Sequence, residues 1–229
     1  MDSPPIAPFW IAQIAAVTAA GGAGLARTLR ARRVRPVAVL LPLLPLLVAP
    51  AGAIGAECIV RTIVHVAAHR PGLPALGGAM AYGALAAYAG AQAALAPRGL
   101  RWEALGDAVG PLACLVAFGR IGCLCAGCEP GVMGPLGLRH PVAIYEGAVA
   151  LLGWWLAGRA ERWLPARREA RFAAFAAVYA IGRAAIEVLR DPGPLTGGGV
   201  TIAQHLSAAT LFGLALALLG SGGRERPRP

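Results

Sequence analysis

The chain has 229 residues, of which 57% are hydrophobic and 14% are charged, and its mean hydropathy is +0.62. A soluble domain carries roughly 25% charged residues, so the composition excludes an ordinary soluble fold and predicts an integral membrane protein. The net charge of +10 would suit a nucleic-acid-binding protein. That class is excluded, and no nucleic-acid partner is expected, because the basic residues lie in short clusters between long apolar runs.

Seven apolar runs of near-spanning length follow one another along the chain. The first run lacks the positive region and cleavage site of a removable signal peptide, so we expect it to be retained. We predict an all-α membrane protein, a polytopic bundle of about seven transmembrane helices that forms a single domain over residues 1–229. The runs lie at about 6–25, 37–56, 73–96, 105–125, 141–157, 172–189 and 200–220.

The loops between these runs alternate in charge. Of the 21 basic residues, all of them arginine, 15 follow the first, third, fifth and seventh runs. Arginine-rich loops stay on the cytoplasmic side of a membrane. The N-terminus is therefore predicted to lie outside and the C-terminus in the cytoplasm.

The sixth run carries a polar stripe. Tyr179, Arg183, Glu187 and Arg190 are spaced i, i+4, i+8 and i+11, which places them on one face of a helix. Charges inside a span are costly, so the stripe is predicted to face a protein interior or a wet cavity. By helical rise, Arg183 would lie ~10 Å deeper than Arg190. Both a functional site and a buried Arg–Glu network that only joins two helices fit this pattern.

A second arginine is expected at similar depth, at the end of the fourth run. Arg120 follows Asp107 by 13 residues, which is ~20 Å along a helix. Gly119 and Gly122 flank it and would let a ligand approach closely.

Two permanently charged arginines at one depth need anions. Glu187 and Glu129 could supply part of that charge, and a lipid phosphate the rest through charge-assisted hydrogen bonds. The residues therefore predict a pocket for a phospholipid head group.

Two further motifs admit a functional and a structural interpretation. Cys123, Cys125 and Cys128 form C-x-C-x2-C, which could be a metal or redox site, but small thiols packing beside glycine fit better. His140, between Arg139 and a proline, opens the fifth run on the side of the arginines, with Tyr145 and Glu146 a turn further on. No metal and no cofactor is expected.

Several segments together resemble the prolipoprotein diacylglyceryl transferases of the bacterial inner membrane. They are WEALGDAVGPLACLVAFGR, GRIGCLCAGCEPG, RHPVAIYEG, YAIGRAAIEVLRDP and VTIAQHLSAATLFGLALALL, in consistent order over most of the chain. The resemblance implies transfer of the diacylglyceryl group of phosphatidylglycerol to the lipobox cysteine of a prolipoprotein signal peptide. The products would be a thioether and glycerol phosphate.

The resemblance also implies roles for individual residues. Arg120 matches the signature arginine that binds the phospholipid head group, and Arg183 matches the second essential arginine, with Glu187 as its companion acid. These three are the expected catalytic residues. The expected head-group neighbours, besides Arg120, are Gly77, Gly78, Gly119, Gly122, Glu129, His140, Tyr145, Tyr179 and Arg190.

The most consequential departure from the family pattern lies at the start of the third span. The family carries a His-Gly-Gly motif at the start of the third span, and here Leu76 precedes Gly77 and Gly78. Leucine cannot take up a proton, although His65 and His69 lie nearby in the sequence. Two alternatives therefore stay open: a paralogue that binds phospholipid without transferring it, and a transporter. A transporter would need charged groups through the full membrane depth.

Overall fold

The structure is a computed structural model that describes residues 77–96, 100–126, 131–165, 167, 169–190 and 200–221. This part is all-helical, without a β-strand, so the predicted fold class is confirmed for it. The runs predicted at 6–25 and 37–56 lie outside the described residues. The helices are α1 (Gly77–Leu95), α2 (Arg101–Ala126), α3 (Val142–Trp163), α4 (Ala170–Ile186), which continues into a 3-10 turn (Glu187–Leu189), and α5 (Ile202–Ser221).

Three segments of these helices are long and apolar enough to cross a membrane. They are Arg101–Ile121, Ala170–Leu189 and Ile202–Gly220. Large apolar side chains on α4 and α5 are exposed, among them Ile181 and Phe212, as expected of surfaces that face lipid. The total of seven spans and the orientation of the termini stay predictions.

Successive helices run in opposite directions. Arg120, near the end of α2, contacts Glu146, near the start of α3. Glu161, near the end of α3, contacts Arg171 at the start of α4, with 2.8 Å between nitrogen and oxygen. The end of α2, the start of α3 and the end of α4 therefore meet at one end of the bundle, which we call the Arg120 end.

Helix α3 is longer than the apolar run predicted at 141–157. It continues to Trp163, beyond the predicted end at 157. The arginines of this last part place their guanidinium groups against an aromatic ring and a backbone carbonyl on the helix surface. The Arg159 guanidinium lies 4.4 Å from the ring centroid of Trp155, and Arg162 Nε donates to the carbonyl oxygen of Gly158 at 3.2 Å. Long basic side chains can cover apolar surface in this way while the charged group reaches a polar layer.

Close packing of α3 against α4 depends on two glycines. A Cβ built on Gly182 would overlap the γ-methyl groups of Val149, and a Cβ built on Gly153 would lie 3.1 Å from Phe175 Cδ2. Small residues let helices in a membrane approach closely enough for dispersion contacts. The short separation brings the polar residues of α3 and α4 within reach of each other.

Replacing Gly182 by alanine should separate α3 from α4. Overpacking of this kind costs about 1–3 kcal/mol, so the thermal unfolding midpoint of the purified protein in detergent should fall. The matched control is Gly158→Ala on α3, where an added Cβ meets nothing within 4 Å. An unchanged midpoint for Gly182→Ala would show that the two helices are not held at this separation.

Candidate active site

The centre of the Arg120 end is the carboxylate of Glu146. Its side chain is fully buried. Glu146 Oε1 accepts a hydrogen bond from Arg120 Nη2 at 2.7 Å and another from the Tyr179 hydroxyl at 2.7 Å. One carboxylate of α3 therefore joins α2 to α4 inside the bundle.

The other oxygen of this carboxylate faces Arg183. Glu146 Oε2 lies 3.3 Å from Arg183 Nε, an ion-pair distance, although the two atoms lack hydrogen-bond geometry. Arg183 Nη1 donates to Glu187 Oε2, four residues further along the chain. Arg120 and Arg183, the two arginines predicted to bind the head group, therefore contact the same glutamate.

Arg183 retains an unused donor. Its side chain is 0% exposed, and within the described residues its Nη2 has no hydrogen-bond partner. A buried donor left unsatisfied costs about 1–3 kcal/mol, and such a group in a native protein calls for a ligand, a water or an ion.

The polar stripe of the sixth run is only partly helical. The α-helix ends at Ile186, and the tighter 3-10 turn that follows leaves Arg190 in an extended conformation with φ −87° and ψ 140°. Arg190 Nη1 nevertheless lies 3.5 Å from Glu187 Oε2. Tyr179, Arg183 and Glu187 are buried, so the prediction that this face turns inward is confirmed for these three.

These residues form a charged cluster of Arg120, Glu146, Arg183, Glu187 and Arg190. The cluster thus contains three guanidinium groups and two carboxylates. Guanidinium groups form strong paired hydrogen bonds with carboxylates and phosphates. The cluster therefore has the chemistry of an anion site at the end of a helix bundle.

A tyrosine pair borders the cluster. Tyr179 packs edge-on against Tyr82 of α1, with 5.9 Å between ring centroids. The Tyr82 hydroxyl lies 2.5 Å from Ser207 Oγ of α5. Hydrogen bonds and ring contacts thus connect all five described helices to this end of the bundle.

Four other predicted site residues are glycines of α1 and α2. Gly119 directly precedes Arg120 in α2, Gly122 follows two positions later in the same helix, and Gly77 and Gly78 begin α1. Glu129 lies outside the described residues.

His140 and Tyr145 form a pair with each other. His140 Nδ1 lies 3.3 Å from the Tyr145 hydroxyl, and a Cβ built on Gly134 would lie 3.2 Å from His140 Nε2. These contacts place the imidazole against the segment between α2 and α3. They do not include Arg120 or Arg183.

The cysteine motif is described only in part. Cys123 is half-buried, and Arg120 Nη1 lies 3.9 Å from its Sγ. The side chain of Cys125 and the whole of Cys128 lie outside the described residues. The three cysteines therefore cannot be compared as one site.

Glu146 is the residue of the cluster that the sequence analysis did not assign to the site. A signal for it was present, because Glu146 is the single charged residue of the apolar run at 141–157 and a charge there is costly. The geometry makes Glu146 the contact between the two predicted arginines.

A family model described as prolipoprotein diacylglyceryl transferase matches residues 6–219. No curated protein and no solved structure shows a significant match to the chain. The matched range includes every residue of the charged cluster.

Glu146→Gln should destabilise the bundle strongly. The amide has nearly the same shape but leaves two buried guanidinium groups without the charge that they share, and breaking a buried ion pair costs about 3–5 kcal/mol. Thermal unfolding in detergent measures the loss. The control is Glu169→Gln, which removes the partner of the 60% exposed Arg167 and should cost no more than about 1 kcal/mol. Equal midpoints for the two variants would contradict a central role for Glu146.

Proposed function

Because the chain belongs to the prolipoprotein diacylglyceryl transferase family, we propose that it transfers a diacylglyceryl group from phosphatidylglycerol to the lipobox cysteine of prolipoproteins. The family itself implies a transferase of lipoprotein biosynthesis. The specific donor, the thioether product and the release of glycerol phosphate are parts of the proposal. So are a multi-pass location in the bacterial inner membrane and a site that opens to the outer leaflet.

The unused Nη2 of the buried Arg183 is the observation that carries this proposal. A phosphate group offers several acceptor oxygens and a negative charge, so it would satisfy that donor through a charge-assisted hydrogen bond. Arg120 and Arg183 are the two groups assigned to the phosphate. They contact the same carboxylate of Glu146, which would hold both guanidinium groups in place before the lipid binds.

The reaction needs a leaving group that is stabilised as its charge develops. The thiolate sulfur of the lipobox cysteine attacks the carbon of the diacylglyceryl group that is bonded to the phosphate oxygen, and glycerol phosphate is the leaving group. The carbon–sulfur bond forms as the carbon–oxygen bond breaks, and the bonding electron pair leaves with the phosphate oxygen. Fixed guanidinium groups at that oxygen lower the barrier because they are oriented before the charge appears.

Glu187 is assigned to orienting these groups. Its Oε2 accepts a hydrogen bond from Arg183 and lies within ion-pair distance of Arg190. Orientation of a catalytic group by a partner of this kind reduces the reorganisation needed during the reaction. The remaining head-group neighbours are proposed to be Gly77, Gly78, Gly119, Gly122, Glu129, His140, Tyr145, Tyr179 and Arg190.

Arg183→Ala and Arg120→Ala should abolish transfer while leaving the chain inserted in the membrane. Loss of one donor to a developing anion costs about 100–1000-fold in rate. The measurement is thioether formation on a lipobox peptide by purified variants in vesicles that contain phosphatidylglycerol, together with complementation of a transferase-depleted bacterial strain.

Arg162→Ala is the matched control, because Arg162 is exposed at the opposite end of α3 and bonds only a helix carbonyl among the described residues. It should retain activity. Normal lipoprotein modification by either cluster variant would refute the assignment. An inactive but well-expressed wild-type chain would favour the paralogue that binds phospholipid without transferring it.

Leu76 predicts an unusual pH dependence. The thiolate is the nucleophile, and the pKa of a free cysteine thiol is about 8.5. Without a histidine at position 76, kcat/KM should therefore increase roughly tenfold for each unit by which the pH is raised, up to that pKa. Leu76→His would supply a group that takes up the proton near neutral pH and should shift the rise to lower pH. Leu76→Asn, which does not titrate, is the control. Superimposable profiles for the wild type and Leu76→His would show that position 76 takes no part in the proton transfer.

A further inference from the structure

The segment between α2 and α3 forms a short hairpin, defined here as residues 131–140, with an exposed apolar tip. The backbone nitrogen of Gly134 donates to the carbonyl oxygen of Leu138 at 2.8 Å, and Gly137 adopts φ +71°, a conformation that glycine tolerates best. Leu136 is 87% exposed and Leu138 is 72% exposed. The hairpin thus leaves two large apolar side chains mostly uncovered by the described part of the chain.

The base of the hairpin is attached to the end of α4. The backbone nitrogen of Val132 donates to the carbonyl oxygen of Leu189 at 2.9 Å, and Gly131 forms an antiparallel bridge with Arg190. Leu189 is also the last residue of a candidate membrane span. The hairpin is therefore attached where the candidate span of α4 ends.

Exposed apolar residues continue from the hairpin onto the adjoining helices. Met133 of the hairpin is exposed, and so are Ile121 near the end of α2, Ile144 in the first turn of α3 and Val188 in the 3-10 turn. Several exposed apolar side chains at one end of a bundle of apolar helices are typical of contact with lipid.

We propose that the hairpin inserts Met133, Leu136 and Leu138 into the lipid surface at the Arg120 end of the bundle. These side chains project from a tight turn, a shape that penetrates between acyl chains, whereas a bound peptide would need a groove or an open strand edge. Arg139 and Arg190 at the base carry cationic groups, which suit the head-group layer above inserted apolar side chains. Because the hairpin is joined to Arg190 through the backbone bridge at Gly131, its insertion would fix the depth of Arg190 in the bilayer.

This inference concerns location in the bilayer and does not depend on transferase activity. The test uses the full-length chain in phosphatidylglycerol-containing vesicles, with Leu136→Cys labelled by the environment-sensitive fluorophore NBD. Quenching by nitroxide-labelled lipids is compared with quenching by iodide in the water. The signal of the labelled wild-type chain, which has five native cysteines, is subtracted.

Two variants calibrate the scale. Leu216→Cys lies on the exposed apolar surface of the candidate span in α5, and Arg167→Cys lies at an exposed position between α3 and α4. The label at position 136 should be quenched by lipid as at position 216 and should be severalfold less accessible to iodide than at position 167. Leu138→Cys gives a second measurement if Leu136→Cys does not fold.

Iodide quenching as strong as at position 167 would overturn the proposal. So would a label that becomes protected only when a lipobox peptide is added, since the hairpin would then be a docking surface for the peptide. An enzyme inactive in transfer should give the same lipid quenching, so failure of the proposed function would be distinguishable from failure of this inference.

Discussion

One fully buried carboxylate, that of Glu146, determines the arrangement of the Arg120 end. It accepts hydrogen bonds from Arg120 of α2 and Tyr179 of α4, and its second oxygen lies beside Arg183. Each of the two guanidinium groups would be very costly in an apolar interior without a nearby negative charge. The three helices must therefore meet closely enough for one side chain to serve both arginines.

The glycines of α3 and α4 make that close approach possible. Gly182 leaves room for Val149, and Gly153 leaves room for Phe175. Where apolar burial contributes little, as between helices in lipid, close van der Waals packing supplies much of the attraction. Packing by glycine and pairing of charge thus support one another, because each requires the same short distance between α3 and α4.

Exposed apolar side chains lie at the same end of the described part as the charged cluster. Candidate spans end near the charged cluster, and the hairpin at residues 131–140 adds exposed apolar side chains at the same level. A lipid head group could reach an anion site placed there without leaving the interface. The proposed reaction would then take place between a membrane lipid and a peptide that is itself held in the membrane.

The sequence by itself predicted the helical class, carried the family resemblance and identified Arg120, Arg183 and Glu187 as charged residues within apolar runs. A charge in an apolar run is costly in any fold, so local composition is enough to identify it. Only the tertiary structure decided which groups meet. Glu146 contacts Arg120 across 26 residues and Tyr179 across 33, and the hairpin joins Arg190 through the backbone. Such partners depend on how α2, α3 and α4 pack, and a pattern within one run carries no information about the spacing between helices.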